Sequence, residues 1–77
     1  MKEEWMQVAL RLAVEAGKRN EVPVGALVVH GNKIIGRGFN QPISDCDPSA
    51  HAEIVALRDA AKNLGNYRLS GCSLVVT

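Results

Sequence analysis

Seventy-seven residues, 47% hydrophobic and 22% charged with a net charge of +1, make at most one small globular domain. The near-neutral balance excludes a general nucleic-acid coat, and no apolar run approaches the ~18–20 residues that cross a bilayer. Two cysteines, Cys46 and Cys72, are too few for a disulfide framework, and the acidic, amphipathic N-terminus does not read as an export signal, so both thiols are expected to be free in a reducing cytoplasm.

Residues 2–19 predict a helix, because Trp5, Ala9, Leu12 and Ala16 recur at helical steps with Met6 and Ala13 beside them. Val24 to His30 is a continuous apolar run, as in a strand covered on both faces. Gly31-Asn32 signals a two-residue hairpin turn, and Lys33 to Asn40 returns as the second strand. Gly36 and Gly38 within it suggest a bulge or the close approach of another backbone. His30 is expected to be exposed at the turn.

"QPISDCDPS" reads as a loop. A second helix is expected to start with Asp47 as N-cap and Pro48 at its first position. It should run to about Asn63, with Ile54, Leu57, Ala61 and Leu64 on one face and Gly65 as its stop. "CSLVVT" begins a third strand. The order α-β-β-α-β, with a right-handed crossover through the second helix, sets strand three parallel to strand two and beside strand one, giving the order 2-1-3. Its apolar outer edge is one that a complete domain would cover, so the chain reads as the first part of a larger domain.

"DPSAHAEI" holds a His and a Glu two residues apart, His51 and Glu53. On a helix that spacing is roughly 200° around the axis, so the two are not natural co-ligands. One can hold a metal while the other moves protons to and from an activated water. Alone, His-x-Glu is a weak signal.

"EVPVGA" at 21–26, "DPSAHAEI" at 47–54, "NYRL" at 66–69 and the Asn-x-Pro at Asn40 resemble the zinc-dependent nucleobase deaminases, most closely the bacterial tRNA-specific adenosine deaminases. The resemblance covers nearly the whole chain. It implies an α/β fold, the three-layer α-β-α architecture of the cytidine deaminases. Residues 1–77 would form its α-β-β-α-β N-terminal part, truncated before a P-C-x-x-C motif. It implies His51 as a zinc ligand and Glu53 as the catalytic general acid/base. Asn40 matches an asparagine that binds the flipped base or its sugar. Glu21, Val22 and Pro23 match the wall around that base, and Ala52 a position whose backbone faces the substrate.

The function implied is hydrolytic deamination of adenosine to inosine at the wobble position of a tRNA anticodon. The implied partners are the anticodon stem-loop and a second copy in a homodimer, with one zinc per chain and no membrane. The other two zinc ligands would be cysteines beyond residue 77, so the 77 residues alone are expected to be inactive. A site of His51, Cys46 and Cys72 is the less favoured arrangement. The alternatives are a deaminase of free cytosine, guanine or a nucleoside, and a non-catalytic domain that keeps the scaffold.

Overall fold

A computed structural model describes residues 2–77, the side chains of Lys2 and Glu3 excepted. The elements are α1 (Lys2–Lys18), β1 (Gly25–His30), β2 (Lys33–Phe39), α2 (Pro42–Asp45), α3 (Ala52–Leu64) and β3 (Cys72–Val76). The sheet order is β2-β1-β3, with β1 antiparallel to both neighbours, so β2 and β3 run parallel to each other as the crossover argument requires.

The sheet is covered on both faces. Leu27 and Val29 of β1 pack with Ala9, Trp5 and Met6 of α1, and with Ile34 and Val75. Ala26 and Val28 face the other way, against Ala52, Ala56 and Ala60 of α3. The continuous apolar run of β1 is thereby explained: alternate side chains serve two different layers.

Both predictions for the glycines of β2 hold. The register with β1 slips between Val28 and Val29, leaving Ile35 as the extra residue of a bulge. The bulge lets successive residues Ile35 and Gly36 both face α3. A Cβ on Gly38 would lie 2.5 Å from both the Ala52 carbonyl and the Ala56 amide, and one on Gly36 would lie 2.7 Å from Ala60 Cβ. Glycine here is a requirement of backbone-to-backbone contact.

That contact overturns the expected apolar face of the helix. Its buried stripe is Ala52, Ala56 and Ala60, while Leu64 is exposed and Ile54, Leu57 and Ala61 are half-buried. Small side chains win the central position because only they let the helix reach a glycine strand. The polar flank of α3 guards the outer edge of β2: Arg37 N–H donates to Asp59 Oδ2 at 2.9 Å, and Asn63 Nδ2 donates to the bulge carbonyl of Ile35 at 2.8 Å. These bonds take up edge groups that would otherwise invite a foreign strand.

The start of α3 is also corrected. Asp47 does not cap the helix; its Oδ1 accepts from Ser49 N–H at 2.9 Å and Ser49 Oγ at 2.7 Å, closing a local Asx turn. The helix begins at Ala52, with His51 as its N-cap. A four-residue helix, α2, occupies part of the segment expected to be loop. The helix stop holds: Gly65 takes a left-handed φ of 72°, and the amides of Gly65 and Asn66 donate to Lys62 and Ala61 carbonyls.

Candidate active site

β2 ends at Phe39, and Asn40 leaves the sheet with its N–H bonded to the Val24 carbonyl at 3.1 Å. Its side chain is only 6% exposed, and its Oδ1 accepts from Ala52 N–H at 2.8 Å. Asn40 therefore caps α3 from twelve residues upstream. His51 is spared that duty and makes no side-chain capping bond.

His51 has an extended backbone, φ −75° and ψ 153°, and an exposed imidazole. Its neighbour Ala52 is fully buried. Glu53, half-buried in the first turn, suits the positive end of the helix dipole. With His51 outside the helix, the projection that set the two about 200° apart no longer applies. Their functional groups stand free of hydrogen bonds to other described residues.

Between Asn40 and His51 the chain makes a closed loop. Gln41 N–H donates to the Ala50 carbonyl at 2.9 Å and seals its neck. Glu21, 6% exposed, reaches across from the α1–β1 connection. Its carboxylate accepts from Ile43 N–H at 3.2 Å, from Ser44 N–H at 2.7 Å and from Ser44 Oγ at 2.7 Å. Burial pushes the Glu21 carboxyl up, but the three donors outweigh it and hold the group below its ordinary value. The bonds from Ser49 likewise lower Asp47, with Arg58 a smaller contributor. Val22 and Pro23, next to Glu21, are exposed.

The fold thus brings Glu21, Asn40, Ala52, His51 and Glu53 to one end of the sheet, around the start of α3. Sequence reasoning missed Ile43 and Ser44, whose amides hold Glu21; no local pattern marks them. A separate cleft of about 340 Å³ on the flank of α3 is lined by Arg37, Asp47, Val55, Arg58, Asp59, Lys62 and neighbours, and by none of the site residues expected from the sequence. Among the described residues no group of three or more His, Cys, Asp or Glu could hold a metal ion. Cys46 is exposed at the end of α2, while Cys72 packs against the α3-side core, which removes the His51–Cys46–Cys72 arrangement. His51 is the only zinc ligand expected from the resemblance that lies in this chain, and it does not complete a site.

The family model for the cytidine and deoxycytidylate deaminase zinc-binding region matches residues 1–77. A tRNA-specific adenosine deaminase of Buchnera aphidicola subsp. Schizaphis graminum is 52% identical over 73 residues, 95% of this chain and 48% of the relative. A solved structure from a study of A-to-I editing by tRNA:A34 deaminases at the wobble position superposes with a TM-score of 0.96 and 42% identity, covering 99% of this chain and 58% of that one. Guanine deaminase from Bacillus subtilis superposes at 0.90 with 39% identity, covering 96% and 48%. The chain spans about half the length of the curated relatives it matches.

Proposed function

Because the chain belongs to the cytidine and deoxycytidylate deaminase zinc-binding family, we propose that the protein carrying it hydrolyses adenosine to inosine and ammonia at the wobble position of a tRNA anticodon. The observation that carries this reading is the start of α3: His51 and Glu53 are left free because Asn40 does the capping. The two adenosine-deaminase relatives, 52% and 42% identical, favour the tRNA substrate over a free base.

His51 would supply one of the three protein ligands that a catalytic zinc needs. Zinc, when bound, contributes a Lewis acid that brings a water toward ionisation near neutral pH. Glu53 is the group for proton transfer: it takes a proton from the attacking water and gives it to the ring nitrogen beside the attacked carbon, then takes the remaining proton from the added hydroxyl and gives it to the amino group, which leaves as ammonia. Asn40 holds the base or its sugar, Val22 and Pro23 with Glu21 wall it, and the Ala52 backbone lies against it. A cytoplasmic homodimer completes the proposal.

The test is an assay of the whole protein on an anticodon stem-loop with guanine and cytosine present as competitors. Inosine in the RNA is expected, with the free bases unchanged. Deamination of guanine alone would move the assignment to the free-base enzymes.

A further inference from the structure

All three hydrogen bonds of the buried Glu21 carboxylate go to Ile43 and Ser44, and none to His51 or Glu53. Ile43 and Ser44 are the second and third residues of α2, whose opening amides have no partner within the helix. A helix of four residues cannot hold itself, because nucleation costs more than one turn returns. Gln41, its N-cap, makes no side-chain capping bond there. The conformation of the loop therefore depends on a carboxylate delivered from more than twenty residues away.

That loop joins Asn40 to His51. At one foot Asn40 is fixed on Ala52, and at the neck Gln41 is fixed on Ala50. Arg58 of α3 reaches Asp47 at 3.6 Å and Ser49 Oγ at 3.4 Å on the far side of the loop, and the Glu21 clasp anchors the α2 side, directly before Val22. Val22 and Ile43 are 65% and 72% exposed, so each segment joined by the clasp carries an apolar side chain into solvent.

We propose that Glu21 is a positioning residue: by holding the Ile43 and Ser44 amides it locks the 41–50 loop to the Val22–Pro23 segment and so sets substrate affinity. This rests on the deaminase reading above. Glutamine is nearly isosteric but replaces it only in part, because its neutral amide oxygen can accept from Ser44 while its NH₂ group would confront the Ile43 N–H, where the carboxylate presents an acceptor.

In the whole protein, Glu21→Gln is expected to raise KM for the anticodon stem-loop by about tenfold or more, the scale of a lost charge-assisted bond. Zinc content should be unchanged and kcat should stay within about twofold, as for a lost interaction made equally in ground and transition states. Hydrogen exchange at the Ile43 and Ser44 amides should quicken by a comparable factor. Ser44→Ala removes one donor and should raise KM less; added to Glu21→Gln it should cost less than it does alone. Unchanged amide exchange, an unchanged KM despite faster exchange, or additive effects in the double variant would each overturn the proposal. A wild type inactive on the stem-loop overturns the deaminase reading instead, and the exchange measurement separates the two failures.

Discussion

In the proposed deaminase, Asn40, His51 and Glu53 would divide the work at the start of α3. Glu53→Gln in the whole protein should abolish turnover while metal analysis still finds zinc, whereas His51→Ala should lose both; loss of metal in Glu53→Gln would contradict the division. Asn40→Ala removes the capping acceptor from a buried amide and should cost about 1–2 kcal/mol in urea unfolding, with Asn40→Asp costing less because it keeps an acceptor at the positive helix end. The acidic limb of stability follows from Glu21 and Asp47. Both carboxyls sit below their ordinary values, so their contribution is intact above that range and is lost as pH falls through the lowered values. Melting temperature should decline below about pH 4, and Glu21→Gln should flatten part of that decline. At this scale the motif residues stood out through the resemblance of their stretches to the deaminases, since His-x-Glu alone is a weak signal. The bond from Asn40 to Ala52 was not, since it joins positions twelve apart through a fold the sequence does not display.

The secondary elements show where local signals suffice. Gly31-Asn32 and Gly65 were readable because a turn and a helix stop are decided by their own backbone angles. The beginning of α3 was not, because Asp47-Pro48 has the chemistry of a helix start but spends it on Ser49. Its buried stripe was misread for a related reason: hydrophobic size suggested Ile54 and Leu57, while the glycines opposite select alanine. Gly36 and Gly38 had hinted at this close approach without saying which element would make it. Gly38→Ala should destabilise by about 3 kcal/mol or more, since the obstructing atoms are backbone and cannot rotate away. A urea midpoint unchanged from wild type would refute so close a contact.

Across the whole molecule the sheet order was legible from element order and handedness, whereas the three layers were implied by the resemblance to the deaminases. The exposed side of β3 has consequences for handling the 77 residues by themselves. Leu74 and Val76, 45% and 37% exposed, lie on the α3 side of the sheet, where they pair with Val28 and Ala26. This chain in isolation should associate with rising concentration in sedimentation experiments, and Val76→Lys should reduce that association. The sealed neck between Gln41 and Ala50 bears on how such a protein can diversify. Residues spliced in around the exposed Pro48 would give up the Asp47–Ser49 turn and lengthen the loop at a closure cost of about 0.6 kcal/mol per doubling, while the Gln41–Ala50 bond still sets the span between Asn40 and His51. The loop is thus a graft point, where new recognition sequences can be inserted while the reacting groups keep their places.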